Sequence, residues 1–133
     1  MARVTGLDYR EFDEAALAVP DAAGLRLVPY FEGERTPNLP DATASLEGMT
    51  LANSDRQHVA RATVDGLLDL MRFALDAVRA LGVPVRRVLL VGGGAKSTAV
   101  RALAPQALGA AVEVPEPGEY VALGAAKQAA SLR

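Results

Sequence analysis

One stretch decides the fold: Arg86-Arg87-Val88-Leu89-Leu90-Val91-Gly92-Gly93-Gly94-Ala95-Lys96-Ser97. Its first six residues predict a strand, and because the apolar run does not alternate, both faces of that strand are expected to be buried, as in a parallel sheet. Three glycines follow, and a helix is predicted to start near Ser97. Ligands of open α/β sheets bind at the carboxyl ends of the strands, so this turn is the first candidate for a binding site.

The glycine turn, Gly92 to Gly94, carries no side chains. Glycine permits positive φ and lets another group approach the backbone closely. The N-terminus of the following helix is expected to offer unpaired N–H groups and a positive partial charge to a phosphate. The turn therefore predicts a nucleotide contact. A tight strand-to-helix connection with a purely structural role is the alternative.

Two phosphate-binding motifs can be compared with this stretch. A P-loop needs glycine directly before its Lys-Ser pair, where this chain has Ala95, and another glycine where it has Leu90. The dinucleotide pattern begins at Gly92 and Gly94 but meets Ser97 in place of its last glycine. Glu113 nevertheless follows at about the spacing of a ribose-binding acid, which keeps the dinucleotide alternative open.

A long helix is predicted before the strand. Ser54 and Gln57 have the spacing of a capping box, which places the start of the helix at Ser54. Gly82 and Pro84 are suited to end it. The Met and Phe residues near its apolar stripe are predicted to be core, and the stripe itself recurs at helical spacing: Val64, Leu67, Leu68, Met71, Leu75, Val78 and Leu81.

The elements after the glycines continue the alternation of helix and strand. They are a helix from Ser97 that Pro105 interrupts and Gly109 closes, a strand at Ala111–Val114, a turn at Pro115–Gly118, and a helix at Glu119–Ala130 that packs through Leu123, Ala126 and Ala130. Such alternation predicts an α/β fold with parallel strands and right-handed crossovers.

The first 50 residues are expected to be less regular. Residues 1–24 are predicted to be peripheral, with a helix at Tyr9–Leu17 that Asp8 caps and that packs through Phe12, Ala16 and Leu17. A strand is predicted at Leu25–Val28. From Phe31 to Thr50 the pattern is lost, which predicts a loop of about 20 residues; ordered loops of that length are usually functional.

Composition excludes several classes of protein. The net charge is −2 and basic residues form no run, so neither nucleic acid nor an anionic membrane is an expected partner. Cysteine is absent and His58 is the single histidine, which argues against thiolate chemistry, a metal site and a serine triad. His58 is expected to be exposed or associated with a helix cap, and Glu11, Asp13 and Glu14 to be surface charge. These features favour a soluble cytoplasmic protein.

Three segments together resemble one family, the FGGY carbohydrate kinases. They are Leu27–Pro37, which contains Gly-Glu-Arg-Thr-Pro; Val91–Ser97, which resembles the family's adenosine motif; and Glu119–Ala126, which contains Ala-Leu-Gly-Ala-Ala. Their order and spacing also fit, and the resemblance covers nearly the whole chain. Within the family, the Gly-Glu-Arg-Thr-Pro and Gly-Gly-Gly-Ala-Lys-Ser pair most resembles the xylulokinase branch.

The resemblance implies an actin-like ATPase fold of two RNase-H-like domains, with ATP held mainly by the second and the sugar mainly by the first. This chain would be the later part of the second domain: residues 1–24 a peripheral helix and turn, residues 25–50 a strand and the Gly-Glu-Arg-Thr-Pro loop, and residues 51–133 the adenosine-binding core. The catalytic Asp and the sugar site of the family have no counterpart here. No catalytic residue is therefore assigned to this chain, and the isolated chain is expected to be inactive.

The nucleotide side of the family's site does carry over. Its residues in this chain are Gly92, Gly93, Gly94, Ala95, Ser97 and Thr98. The implied reaction is transfer of the γ-phosphoryl group of ATP to a ketopentose, D-xylulose, with Mg²⁺ on the β- and γ-phosphates. Another sugar or polyol kinase and a non-catalytic nucleotide-binding module are the alternatives. The missing N-terminal domain is the expected partner, and the exposed surface it leaves favours a homodimer.

Overall fold

Helices and short strands alternate along the residues that the computed structural model describes, 2–116 and 118–131. In chain order they are α1 (Ala2–Thr5), α2 (Tyr9–Leu17), β1 (Arg26–Val28), β2 (Ser45–Glu47), α3 (Arg56–Ala80), β3 (Arg87–Leu89), a 3-10 turn (Gly93–Lys96), α4 (Thr98–Leu108), β4 (Ala111–Glu113) and α5 (Tyr120–Ser131). None of the helices in this described part is both long enough and apolar enough to cross a bilayer.

The strand before the glycines pairs with the strand after α4. Strands β3 and β4 run parallel, with Val88 opposite Val112, which confirms the predicted parallel α/β unit. The expectation that both faces of β3 are buried is wrong. Leu90 is 6% exposed, whereas Leu89 and Val91 are 49% and 46% exposed. Helices of the described chain pack on one face of this pair, and no described element covers the other.

The predicted strand at residues 25–28 forms as β1, and a second strand that was not predicted, β2, lies within the predicted loop. Strand β2 pairs antiparallel with β1, with Leu46 opposite Leu27. Leu46 also packs against a small buried cluster that includes Leu25 and Val59. The remainder of the loop folds on itself, since the backbones of Glu34 and Leu39 exchange two hydrogen bonds of 2.9 and 2.8 Å.

The N-cap of helix α3 lies one residue later than predicted. Its N-cap is Asp55, not Ser54, and one carboxylate oxygen accepts from the backbone N–H groups of Gln57 and His58 at 2.9 and 3.0 Å. The other oxygen lies 2.7 Å from Nδ1 of His58, which confirms the expected role of that histidine at a cap. Asp55 can satisfy two free N–H groups at once, whereas the hydroxyl of Ser54 turns back to the carbonyl of Leu51.

The apolar stripe of α3 is buried only along its first half. Val64 and Leu68 are 2% and 1% exposed. Farther along, Leu75 is half-buried, but Met71 and Phe73 are 37% and 52% exposed, so the prediction that the Met and Phe residues are core is wrong for these two. Three more members of the stripe are also exposed: Leu67, Val78 and Leu81. The buried residues of α3 end at Leu68 because the described elements pack on the first half of the helix.

The main core lies between α2, α3 and α4. Small side chains such as Ala16, Ala60 and Ala99, each 0% exposed, allow the three helices to approach closely. The predicted helix at residues 9–17 is confirmed to the residue, with Asp8 as its N-cap, and Phe12 and Ala16 face the core as expected. Leu17 does not, since it is 44% exposed.

Two features of the C-terminal part differ from the prediction. Pro105 does not interrupt α4, which continues to Leu108 and ends at Gly109 in the left-handed region; proline there removes a single donor near the end of a helix. Helix α5 forms at the predicted place, but it buries none of its residues, and its intended packing residue Leu123 is 52% exposed. Pro117 of the predicted turn lies outside the described residues.

Candidate functional site

The glycine turn is an ordered connection between β3 and α4. The N–H of Leu90 donates to the carbonyl of Glu113 at 2.9 Å, so the hydrogen bonds between β3 and β4 continue one residue beyond the end of β3. Gly92 then has φ +86°, a value that side chains rarely tolerate. Two backbone hydrogen bonds close the turn that follows, from Ala95 N–H to Gly92 O at 3.2 Å and from Ser97 N–H to Gly94 O at 3.1 Å.

Gly93 and Gly94 have no structural need to be glycine. Neither has positive φ, and a Cβ atom built on either one would meet no heavy atom within 4 Å. At Gly66 the opposite holds, because a Cβ there would lie 2.5 Å from the carbonyl oxygen of Leu27. The chain itself therefore leaves open space over Gly93 and Gly94, where a side chain would fit the fold but would obstruct a bound group.

Core packing and a side-chain hydrogen bond hold the turn in place. Ala95 is 6% exposed and belongs to the main core. Its carbonyl accepts a short hydrogen bond from Nε of Arg101, one turn into α4. Lys96, by contrast, is exposed at the end of the 3-10 turn. The buried alanine and the arginine thus fix the position of the open glycine backbone above them.

The start of α4 is bonded to Asp13 of α2. One oxygen of this carboxylate accepts from the Ser97 hydroxyl at 2.6 Å, and the other accepts from the N–H and the hydroxyl of Thr98 at 2.7 and 3.1 Å. The Ser97 hydroxyl in turn accepts from the N–H of Val100 at 3.1 Å. Two corrections follow: Asp13 is half-buried and bonded rather than plain surface charge, and the N–H groups of Thr98 and Val100 are not free for a phosphate.

Sequence reasoning missed Asp13 because its partners lie 84 and 85 residues away. Its neighbours on α2 behave as expected. Glu14 forms an exposed ion pair with Arg10 at 2.8 Å, and Glu11 completes the capping box with Asp8. Only the position of Asp13 on the inner side of α2 distinguishes it from them.

Glu113, the residue that kept the dinucleotide alternative open, is paired with another side chain. Its carboxylate lies 3.3 Å from Nη1 of Arg87 on the neighbouring strand, and both side chains are largely exposed. The pair ties β3 to β4 at the surface. An exposed ion pair of this kind contributes little to stability, but it does occupy the carboxylate that would bind a ribose.

The rest of the described chain contains a groove but no metal-binding cluster. Within residues 2–116 and 118–131, no three His, Asp or Glu side chains come close enough together to hold a metal ion. A groove of about 270 Å³ lies between β1 and α3, beside Tyr30, Asp69 and Phe73. It includes none of the residues predicted for the nucleotide site.

Comparison with known proteins extends this description. Residues 5–132 match the C-terminal domain of the FGGY family of carbohydrate kinases. The xylulose kinase of Streptomyces rubiginosus is 41% identical over 133 residues, which cover 99% of this chain and 26% of that protein. The crystal structure of xylulose kinase from Bifidobacterium adolescentis is 55% identical, with a TM-score of 0.84 over 97% of this chain and 26% of that one. The crystal structure of Plasmodium falciparum glycerol kinase with ADP is 25% identical, with a TM-score of 0.79 over 94% of this chain and 25% of that one.

The fold and the open glycine turn define a class first: the chain has part of the actin-like ATPase fold, which confirms the predicted α/β architecture. Within that class, the chain belongs to the FGGY family of carbohydrate kinases. It spans about a quarter of the length of the relatives that it matches. The family match also removes the support for the dinucleotide alternative, since residues 5–132 are accounted for by a kinase domain.

Proposed function

We propose that this chain is the adenosine-binding part of an ATP-dependent carbohydrate kinase, and that Gly92, Gly93, Gly94 and Ala95 receive the adenine and ribose. One observation carries the proposal: Gly93 and Gly94 are glycines that neither φ nor internal packing requires, at the carboxyl end of a parallel strand. A flat ligand can lie against backbone that has no side chains above it.

Backbone contact suits the nucleoside end of ATP. Adenine and ribose present large faces with few charges, and most small-molecule sites bind such faces through apolar contact with a few polar groups. Ala95 and Arg101 keep the turn in place before the ligand arrives. Less ordering is then needed on binding, which favours affinity. The related glycerol kinase of Plasmodium falciparum was crystallised with ADP, which supports a nucleotide as the ligand.

Ser97 and Thr98 border the same site. Their hydroxyls already bond to Asp13, so we assign them a different role from the glycines. They anchor the end of the turn, and the exposed Thr98 side chain is assigned to the edge of the site. Direct contact with adenosine is assigned to the backbone of Gly92, Gly93 and Gly94, with the buried Ala95 directly behind it.

The reaction of the parent kinase is transfer of the γ-phosphoryl group of ATP to a sugar hydroxyl. D-Xylulose is the proposed acceptor, because two of the compared relatives are xylulose kinases, at 41% and 55% identity. The likeness to a glycerol kinase supports a polyol as the alternative acceptor. Magnesium would neutralise the phosphates in such a transfer. The described residues contain no ligand cluster that fits the ion, and no step is assigned to a metal held by this chain.

The remaining machinery is proposed to come from the N-terminal part of the kinase, which the longer relatives contain. The chain covers 26% of those relatives, so most of the kinase lies outside it. The sugar site and the catalytic base are therefore assigned to the rest of the protein. A non-catalytic nucleotide-binding module is the rival function, and it predicts nucleotide binding without any phosphoryl transfer after the N-terminal part is supplied.

Calorimetric titration of the chain with ADP tests the proposal. Gly93→Val and Gly94→Val each place a branched side chain in the open space and are expected to abolish measurable binding without unfolding the chain. Gly124→Val is the matched control, because Gly124 also has open space around it, but lies in α5. Equal affinity in all four proteins would show that the glycine turn is only a structural connection.

A further inference from the structure

Asp13 occupies the position at the start of α4 that an anion would otherwise take. The N-terminus of a helix attracts negative charge, and phosphate is its common ligand. Here three donors, the Ser97 hydroxyl, the Thr98 hydroxyl and the Thr98 N–H, all bond to the Asp13 carboxylate at 2.6 to 3.1 Å. The anion position of this helix is filled by the chain itself.

The glycine turn lies directly before this filled position. Gly93 and Gly94 are open to a ligand, and the carbonyl of Gly94 accepts from the N–H of Ser97 at 3.1 Å. Asp13 therefore bonds to the same residue that ends the turn. A phosphate placed at Thr98 would have to displace the carboxylate and would remain beside its charge, and like charges at that separation repel each other.

We infer that Asp13 is a positioning residue that excludes phosphate from the N-terminus of α4 and thereby orients a nucleotide with its adenosine on Gly93 and Gly94. The inference rests on the proposed nucleotide site. It assigns to α2, one of the three helices of the main core, a role in how the site orients its ligand. The exclusion is electrostatic, whereas the anchoring of Ser97 is by hydrogen bonding, so the two can be separated by substitution.

Asp13→Asn removes the charge and keeps one acceptor oxygen for Ser97 or Thr98. Glu14→Gln is the matched control, since it makes the same chemical change one residue away, where the carboxylate is exposed and pairs only with Arg10 among the described residues. The readout is the backbone amide resonance of Thr98 by NMR during titration with inorganic phosphate. The wild-type chain and Glu14→Gln are expected to show no saturable shift, and Asp13→Asn is expected to show one.

Nucleotide titrations give the second readout. The affinity for ADP relative to adenosine is expected to rise roughly two- to fivefold in Asp13→Asn, the range that corresponds to one charge at a helix end. The ratio is expected to stay unchanged in Glu14→Gln. A purely structural role for Asp13 would weaken both ligands equally and would leave the ratio where it is in the wild type.

Two results would overturn the inference: Asp13→Asn behaving as Glu14→Gln does, or inorganic phosphate shifting the Thr98 amide of the wild-type chain. The wild-type titration can overturn the inference even if Asp13→Asn fails to fold. The phosphate titration does not depend on nucleotide binding. If nucleotides leave the Gly93 and Gly94 amides unshifted but Asp13→Asn gains phosphate binding, the exclusion holds and the proposed nucleotide site fails.

Discussion

Gly66 of α3 and Leu27 of β1 touch through their backbones. A Cβ atom on Gly66 would lie 2.5 Å from the carbonyl oxygen of Leu27 and 3.2 Å from its Cβ. The absence of a side chain at one position of a long helix is what lets β1 cross it, and Leu27 is 3% exposed as a result. This contact sets the distance between the β1–β2 pair and the helical core.

Gly66→Ala is therefore expected to destabilise the chain, although alanine is the better helix former by about 1 kcal/mol. The added methyl group would clash with the backbone carbonyl of Leu27, which cannot move aside easily. The cost of this overpacking, about 1 to 3 kcal/mol, should therefore exceed the gain in helix propensity. Urea unfolding measures the change. Gly124→Ala in α5 is the control and should stabilise or leave the chain unchanged, since its Cβ meets nothing within 4 Å. A stabilised Gly66→Ala variant would contradict the contact.

Acid is expected to weaken the chain partly through Asp55. The N–H of His58 first, and then the His58 side chain, lower the pKa of the Asp55 carboxyl below its ordinary value. A carboxyl with a lowered native pKa contributes stability above its unfolded pKa of about 3.9, and the contribution is lost as pH falls through the lower native pKa. Thermal melts from about pH 6 down to about pH 2 should show a steeper decline for the wild type than for Asp55→Asn.

Asparagine is the right comparison at this position because it caps helices about as well as aspartate but does not titrate. The two melting curves should lie close together near neutral pH and separate at the acid end, where the wild type loses the contribution of its charged carboxylate. Parallel curves over the whole pH range would mean that the hydrogen bonds of Asp55 to Gln57 and His58 do not depend on its charge.

Self-association is expected at working concentrations. The face of α3 formed by Leu67, Met71 and Val78 is 37% to 40% exposed at each residue, and apolar patches of this kind usually meet a partner. A homodimer that covers this face is the expected species in the absence of the N-terminal part. Sedimentation over a dilution series should show it, and Met71→Lys should shift the equilibrium towards monomer. Ala80→Lys, an exposed position at the end of the same helix, is the control; a monomeric wild-type chain would contradict the prediction.

The isolated chain is expected to show no sugar kinase activity. The proposal assigns the catalytic base and the sugar site to residues outside it, so a coupled assay of ADP release with ATP, Mg²⁺ and D-xylulose should give no turnover above background. The same assay with a full-length protein that contains this segment is the positive control. Turnover by the chain alone that is lost on substitution of one of its own carboxylates would refute the assignment.

Local patterns in the sequence predicted the parts of the fold that depend on neighbouring residues. The strand before Gly92, the helix after Ser97 and the helix at residues 9–17 each have their start and end signals within a few residues of chain. The glycines were recognised as a candidate site for the same reason. The sequence could not show that neither φ nor packing requires glycine at Gly93 and Gly94, because this depends on the atoms around them in the folded chain.

Long-range pairings were missed. Strand β2 is three residues long and pairs with a strand about 20 residues earlier, too short a pattern to stand out within a Pro- and Gly-rich loop. Asp13 bonds to Ser97 and Thr98, which lie 84 and 85 positions later in the chain. The exposure of Met71 and Leu123 has a different origin. Helical periodicity identifies an apolar face but does not show whether another element of the same chain packs against it.

The most direct test of the nucleotide site is to locate the adenosine on the protein by intermolecular nuclear Overhauser effects, with isotope-labelled chain and unlabelled ADP. The account predicts contacts from the adenine and ribose protons to the amide protons of Gly93 and Gly94. Contacts only to residues of the groove between β1 and α3, such as Tyr30 and Phe73, would contradict it.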